Sequence, residues 1–149
     1  MSALSAYNYS VMYGSVGTTS VLNNYSTLGI TATTSALTAN DYSINGGHVS
    51  GNATFNGNAC NGLNGIGTVA GNATFNGSSY NTGNVGGAGK TATFNNNSYN
   101  ASTGTVTGNA ILNNNAYNAG TITGNADVYA PSPKPIGGTV KGNVTYHGY

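Results

Sequence analysis

The hexapeptide GNATFN occupies residues 51–56 and recurs unchanged at residues 71–76. Looser copies are KTATFN at 90–95, GNAILN at 108–113, GNADVY at 124–129 and GNVTYH at 142–147. In most copies a Val or Ile stands six positions before the Phe-type residue, and a Tyr, or once Cys60, stands five positions after it. Self-similarity at a regular period indicates a repeat architecture in which each unit packs on its neighbours.

The same three positions can be followed through the whole chain as three columns of residues. The Val/Ile column contains Val16, Ile30, Val49, Val69, Val85, Val106, Ile122 and Val140. The Phe-type column contains Leu22, Leu37, Phe55, Phe75, Phe94, Leu112, Val128 and Tyr146, and the Tyr column contains Tyr25, Tyr42, Cys60, Tyr80, Tyr99 and Tyr117. We expect all three columns to form the core, with an average period of about 18 residues.

This period and the local pattern predict strands rather than helices. Helical repeats need about 34 residues per unit and good helix formers, whereas this chain is rich in Gly, Asn, Thr and Ser. Residues 105–112 alternate, with Val106, Gly108, Ala110 and Leu112 on one face, which is typical of a strand with one buried side. The sequence therefore predicts an all-β fold, a parallel β-solenoid (β-helix) of about eight coils, each with three sides. Unequal corners favour a right-handed solenoid, although a period near 18 also suits a left-handed one.

We predict a single solenoid domain over residues 1–149. Residues 1–44 form irregular N-terminal coils, residues 45–128 form regular repeats, and residues 138–149 form a final coil. Between them, residues 129–137 are a loop that contains all three prolines, Pro131, Pro133 and Pro135. Proline cannot join a central hydrogen-bond ladder, so this loop is expected to replace the Tyr-bearing side of one coil.

Asparagine recurs at three places in the repeat, and we expect each set to stack as an amide ladder along the solenoid axis. The sets are Asn52, Asn72, Asn109, Asn125 and Asn143 before Ala; Asn56, Asn76, Asn95 and Asn113 after the Phe-type residue; and Asn61, Asn81, Asn100 and Asn118 after the Tyr-type residue. Identical amides repeated every ~4.8 Å can hydrogen-bond to one another without any ligand.

Charged residues are scarce: they make up only 3% of the 149 residues, and the net charge is +1. Nucleic-acid binding needs a field of Lys and Arg, so that class of partner is excluded. Asp41 and Asp127 are the only acidic residues and lie many coils apart, which excludes hydrolysis by a carboxylate pair. No stretch is long and apolar enough to cross a membrane, so we expect no membrane insertion.

The residues able to do chemistry are few, and we interpret them as structural. Cys60 replaces Tyr in a core column and is expected to be a buried, inert thiol with no adjoining histidine. His48 is expected on the surface, and Asp127 and His147 are expected on neighbouring coils about 7–8 Å apart. We therefore predict no enzyme activity, no catalytic or metal-binding residue and no cofactor.

The residues GNATFN, followed by SSYN and by runs such as TGTVTGNA, resemble a Gly/Asn-rich repeat of uncharacterised bacterial and phage proteins. That resemblance implies a β-solenoid segment of a surface protein, adhesin or fibre, and it carries no catalytic residues. The N-terminus, MSALSAYNYS, has no basic region or apolar core, so no classical signal peptide is visible. We expect an extracellular or virion-surface location.

We expect the two ends of the solenoid to determine what the protein does, because they can associate with other copies. Stacked strands expose unpaired edges at each end, and a chain with little charge repulsion should self-associate, end to end or laterally. We therefore predict a structural protein that forms a fibre, filament or virion component, such as a phage tail or appendage, with itself as partner.

Two alternatives remain open at this point. The first is a module that binds a glycan or receptor through exposed tyrosines, for which the candidates are Tyr7, Tyr13, Tyr129 and Tyr149. The second is an ice-binding protein, suggested by an outward row of Thr68, Thr105, Thr121 and Thr139 with Thr107 and Thr123 beside it. Ser50, Ala70 and Lys141 interrupt the second of these rows, and the coil at Val85 breaks both.

Overall fold

The computed structural model describes residues 3–129 and 135–148, and its regular secondary structure there consists of short β-strands. A regular coil has three strands separated by corners. In chain order the strands are β1 (Ala3–Ala6), β2 (Val11–Met12), β3 (Ser15–Leu22), β4 (Thr27–Leu28), β5 (Thr33–Ala39), β6 (Ile44–Asn45), β7 (His48–Val49), β8 (Ala53–Phe55), β9 (Cys60–Asn61), β10 (Thr68–Val69), β11 (Ala73–Phe75), β12 (Tyr80–Asn81), β13 (Asn84–Val85), β14 (Thr91–Phe94), β15 (Tyr99–Asn100), β16 (Thr105–Val106), β17 (Asn109–Asn113), β18 (Tyr117–Asn118), β19 (Thr121–Ile122), β20 (Ala126–Tyr129), β21 (Thr139–Val140) and β22 (Val144–Tyr146).

The strands stack in parallel and form three faces. The valine face contains β7, β10, β13, β16, β19 and β21; the phenylalanine face contains β1, β8, β11, β14, β17, β20 and β22; and the tyrosine face contains β2, β4, β6, β9, β12, β15 and β18. The longer strands β3 and β5 run across both of the first two faces, which joins them into one 15-stranded sheet beside the 7-stranded tyrosine face. The structure confirms a parallel β-solenoid of about eight turns. Its handedness stays a prediction.

The interior consists of stacked apolar columns. On the valine face the inward positions include Val49, Val69 and Val85, each at most 2% exposed. On the phenylalanine face the rings of Phe55, Phe75 and Phe94 stack with centroids 4.8 and 4.7 Å apart, and they are fully buried. Each ring contacts the coil above and the coil below, so stability comes from interfaces between neighbouring coils.

The N-terminal coils correct the predicted columns at two positions. Ile30 is 59% exposed, because Gly29 to Ala32 form a tight turn closed by a 2.9 Å bond from Ala32 N–H to the Gly29 carbonyl. Thr34 takes its place in the Val/Ile column, where it pairs with Val16 and Val49. Leu37 is buried but pairs with Ala53, so Ala39 is the residue in the Phe-type column.

The last coil corrects two further members of the core columns. Val140 is half-buried and Tyr146 is 62% exposed, although both are in register with buried residues of the coil below. In the described part of the chain no strand stacks on them from above. The larger inward side chains of the last coil are therefore exposed because a neighbouring coil covers them on one side only.

Glycine allows a close approach between coils at the corner before the valine face. A Cβ added to Gly83 would lie 2.2 Å from the Gly67 carbonyl oxygen, and one added to Gly120 would lie 2.2 Å from the Gly104 oxygen. These distances are far below van der Waals contact, so any side chain here would push the coils apart.

The proline-rich loop falls partly outside the described residues, and this includes Pro131 and Pro133. After it, the Pro135 carbonyl accepts a 2.8 Å hydrogen bond from Asn118 N–H, and Ile136 forms a parallel bridge with Asn118. The chain therefore rejoins the tyrosine face before the last coil begins.

Candidate functional site

The tyrosine column lies on the outside of the solenoid, which corrects its placement in the core. Tyr80, Tyr99 and Tyr117 stack with ring centroids 5.3 and 4.8 Å apart, and Tyr117 is 39% exposed. The residue that points inward on each of these strands is the following asparagine. The prediction was wrong because it placed the larger side chain of each Tyr–Asn pair inside.

Tyr25 and Tyr42 belong to a different column from Tyr80. The strand pairing places Ile44 beside Cys60, and Thr27 beside Ile44. Tyr25 and Tyr42 instead stack at a corner together with Tyr9, with centroids 5.0 and 4.8 Å apart, and they are 47% and 50% exposed. The tyrosine face and its corner thus carry two separate aromatic stacks on the outside of the solenoid.

The asparagines that point inward from the tyrosine face form a continuous buried ladder. Each side-chain NH₂ donates to the side-chain oxygen of the next coil at 2.7–2.8 Å. Its members are Asn45, Asn61, Asn81, Asn100 and Asn118, all fully buried. Sequence reasoning missed Asn45, because it placed Tyr42 rather than Ile44 in the column of Cys60, although Asn45 follows Ile44 as Asn61 follows Cys60.

A second ladder runs at the corner that follows the phenylalanine face. Each amide donates to the preceding coil at 2.8–2.9 Å, so its donors point in the opposite direction to those of the buried ladder. It comprises Asn23, Asn40, Asn56, Asn76, Asn95 and Asn113. Asn40 was missed because the Phe-type column was misaligned in its coil, where Leu37 was predicted in place of Ala39. Asn23 was overlooked, although it directly follows Leu22, a correctly placed member of that column.

The predicted set of asparagines that precede Ala does not form an amide ladder. The side-chain oxygen of Asn52 accepts from the backbone N–H of Asn72 at 2.9 Å, and that of Asn72 accepts from Thr91 N–H at 2.9 Å. Asn109 and Asn125 accept in the same way from the backbone of the next coil. These side chains therefore satisfy backbone donors where the chain enters the phenylalanine face.

A concave site lies on the tyrosine face where the corner loops differ in length. Most coils leave this face through two residues, as at 46–47, 82–83 and 119–120. The corners at 62–67 and 101–104 are longer, and the coil with Thr82 lies between them. This arrangement leaves a cavity of about 390 Å³, which we call the corner cleft.

One side of the corner cleft is a small β-hairpin. Leu63 and Ile66 exchange backbone hydrogen bonds of 2.8 and 3.0 Å across Asn64 and Gly65. Both central residues have positive φ, 54° and 80°, which is the Asn-Gly pattern of a type I′ turn. The Asn-Gly sequence of the turn therefore specifies this hairpin by itself.

The floor of the corner cleft is formed by Cys60, Tyr80 and Thr82. The Cys60 thiol is 3% exposed, and it donates to the Gly62 carbonyl at 3.2 Å. Burial raises the pKa of the Cys60 thiol, although hydrogen bonds to Thr82 and Tyr80 partly oppose this. The charge that Cys60 would carry as a thiolate, followed by burial, raises the pKa of Tyr80 to about 12. Both groups are therefore neutral at physiological pH.

Asp127 and His147 approach more closely than predicted. His147 Nε2 lies 3.0 Å from Asp127 Oδ1, and the His147 ring stacks on Tyr129 with centroids 4.1 Å apart. The estimate of about 7–8 Å was too long because it ignored the reach of two outward side chains on adjacent strands. With side chains 38% and 46% exposed, this contact contributes at most about 1 kcal/mol.

The other polar candidates lie on outer surfaces. His48 Nδ1 contacts Thr68 Oγ1 at 2.6 Å on the valine face. The outward column there runs through Thr68, Asn84, Thr105, Thr121 and Thr139, so Asn84 interrupts the threonine row. Asp41 and Asp127 are separated by five strand spacings on the phenylalanine face, about 24 Å at ~4.8 Å each.

Comparisons with protein-family models, with curated proteins and with solved structures find no match. Within residues 3–129 and 135–148, no three His, Cys, Asp or Glu side chains lie close enough together to hold a metal ion. No helix that could span a membrane occurs in that part of the chain.

Proposed function

We propose that this chain is a non-enzymatic structural protein, a β-solenoid that self-associates end to end into a fibre, filament or virion component such as a phage tail or appendage. The observation that carries the proposal is the open edge at each end of the described stack. β1 pairs only with β3, and β22 pairs only with β20. An unpaired strand edge is a template for another strand.

The inward side chains at the two ends lie in the same columns, and one end projects where the other is hollow. The strand registers place Leu4 and Val144 in one inward column, and Ala6 and Tyr146 in another. Tyr146 projects from the last coil, whereas the first coil has a hollow of about 450 Å³ beside Ala6. In a head-to-tail stack the Tyr146 ring of one copy would enter the hollow of the next.

Electrostatics supports the same mode of association. The end strands, ALSA and VTY, carry no charged residue, and the whole chain has a net charge of +1. A low net charge leaves little long-range repulsion between copies. In this proposal the protein's partner is another copy of itself. The proposal includes an extracellular or virion-surface location.

Lysine substitutions at the two ends test the proposal. Leu4 and Val144 are each 37% exposed, so we expect Leu4→Lys and Val144→Lys to be tolerated in the free protein but to place a charge inside the joint. Thr145→Lys is the matched control, because Thr145 is exposed on the same strand and points outward. We expect sedimentation velocity and electron microscopy to show filaments for the wild type and Thr145→Lys, and monomers for the other two. A wild-type protein that stays monomeric at high concentration would refute the proposal.

A second candidate function is binding of a surface glycan or receptor. Its support is the exposure of large aromatic side chains: Tyr7 is 55% exposed, Tyr13 72% and Tyr129 41%. Tyr149 lies outside the described residues. Binding of a dispersed monomer to a glycan array would favour this candidate over the fibre.

A further inference from the structure

The corner cleft interrupts the tyrosine stack. Tyr80 stacks on Tyr99 on one side, but the residue in register on its other side is Cys60. The described structure has no ring stacked on that side of Tyr80, and Tyr80 borders the cavity there. The chain thus leaves a gap where a ring is present in the two following coils.

We propose that the corner cleft is a binding site for one neutral sugar ring of the hexopyranose type. Its volume of about 390 Å³ is at the lower end of small-molecule sites, which range over about 300–1,000 Å³. A pyranose has an apolar face of C–H groups and a rim of hydroxyl groups. The Tyr80 ring and Leu63 can contact the first, and the polar side chains around them can bind the second.

The polar groups of the cleft are hydrogen-bonding and uncharged. Thr82 Oγ1 contacts the Asn61 and Gly62 carbonyls at 3.2 and 3.0 Å, which leaves the hydroxyl oxygen able to accept from a ligand. Asn64 and Thr103 are exposed on the two loops that flank the cleft and can each donate and accept. A ligand with many neutral hydroxyl groups can form hydrogen bonds with all three of these side chains.

The same chemistry disfavours other ligands. None of the described residues that line the cleft is charged, so phosphate and carboxylate groups would be desolvated without a counter-charge. A hydrocarbon would cover the Asn64 and Thr103 side chains without offering them a hydrogen-bonding partner. The inference does not depend on end-to-end association, because the cleft is built within a single copy.

Two variants remove the cleft in different ways. In the first, residues 62–67 are replaced by Gly-Gly, the corner that this chain uses at residues 46–47. In the second, Cys60→Tyr extends the aromatic stack into the gap. Tyr117→Phe, at the far end of the stack and outside the lining of the cleft, is the control. Circular dichroism establishes that each variant is folded before binding is measured.

Saturation-transfer NMR with glucose, galactose, mannose and N-acetylglucosamine tests the site. We expect transfer to at least one of these sugars from the wild type and Tyr117→Phe, with a Kd in the millimolar range that is typical of a single ring. The shortened corner should weaken binding at least tenfold, and Cys60→Tyr should do the same. The inference is overturned if none of the four sugars receives saturation, or if transfer is undiminished in the shortened-corner variant. If Leu4→Lys did not prevent filament formation, the result of the sugar-binding experiment would be unaffected.

Discussion

Asparagine side chains stabilise this solenoid in two distinct environments. In the buried ladder Asn81 accepts from Asn61 and donates to Asn100, and it also bonds the backbone of Gly83. In the corner ladder Asn76 makes similar amide contacts but remains partly exposed to water. Burial makes the first set more costly to disrupt, because a lost partner cannot be replaced by solvent.

Asn81→Ala tests this difference against Asn76→Ala in the same coil. Removing the buried amide leaves donors and acceptors of Asn61, Asn100 and Gly83 with fewer partners, so we expect the free energy of unfolding to fall by about 2–4 kcal/mol. Asn76→Ala should cost about 0.5–1.5 kcal/mol, because water reaches its partners. Urea denaturation measures both values. Equal costs would contradict the role assigned to burial.

Alkaline pH should destabilise the folded protein through Tyr80. Its folded-state pKa of about 12 lies above the value of 10.0 for a free tyrosine, so the folded state binds this proton more tightly. The resulting stabilisation is complete below pH 10 and is lost as the pH rises toward 12. Burial raises the pKa of Cys60 as well, and this acts in the same direction.

Thermal unfolding followed by circular dichroism at pH 9, 10, 11 and 12 measures the effect. We expect Tm to decrease with pH over the interval from 10 to about 12, and to decrease less in Tyr80→Phe. Tyr13→Phe, at a tyrosine that is 72% exposed, should follow the wild type. A steeper decrease in Tyr80→Phe than in the wild type would be inconsistent with this assignment.

Corners, more than strands, distinguish one coil of this solenoid from the next. The strands have only two to eight residues, and neighbouring strands pair in register over nearly all of the stack. The coils differ mainly at their corners, which range from two residues at 82–83 to six at 62–67. Short corners bring backbones together, and the longer ones project and enclose the corner cleft.

Gly120→Ala tests the close approach at a short corner. The new Cβ would lie 2.2 Å from the Gly104 oxygen and 2.3 Å from the Ala101 oxygen, so neighbouring coils must separate. We expect a loss of at least about 3 kcal/mol in the free energy of unfolding. Gly87→Ala is the control, because its Cβ would meet nothing within 4 Å, and it should change stability by less than about 0.5 kcal/mol. Similar losses in both variants would exclude coil spacing as the cause.

Across the molecule, stability is expected to follow the number of neighbouring coils. Central coils such as the one that contains Phe75 pack on both sides, whereas β1 and β22 each pair with one strand in the described structure. A chain of nearest-neighbour contacts opens first at its ends. End-to-end association would add the missing neighbour.

Hydrogen exchange measured by mass spectrometry tests this gradient. In the monomer we expect amides of β1 and β22 to exchange fastest and those of β11 and β14 slowest. In assembled protein the end strands alone should gain protection, and the Val144→Lys variant should show no such gain. Protection that is uniform along the monomer would argue against stability by neighbour contacts.

The sequence by itself determined the fold class, the period and most of the buried columns. A repeat such as GNATFN with alternating small and apolar residues has one arrangement that buries every copy, which is a stack of coils. The same reasoning identified two of the asparagine ladders, because identical residues in register must meet across adjacent strands. It missed Asn45 and misplaced Ile30, because corner lengths vary in the first coils.

Only the tertiary structure decided which member of each Tyr–Asn pair points inward. Alternation along a strand defines two faces, but the closed path of the coil determines which face is inside. The corner cleft likewise needs stacking, because residues 62–67, Thr82 and Thr103 are far apart in the chain and meet only when three coils lie in register. The exposed ends have the same origin, since Tyr146 is in a core column by sequence and is exposed because no described coil covers it.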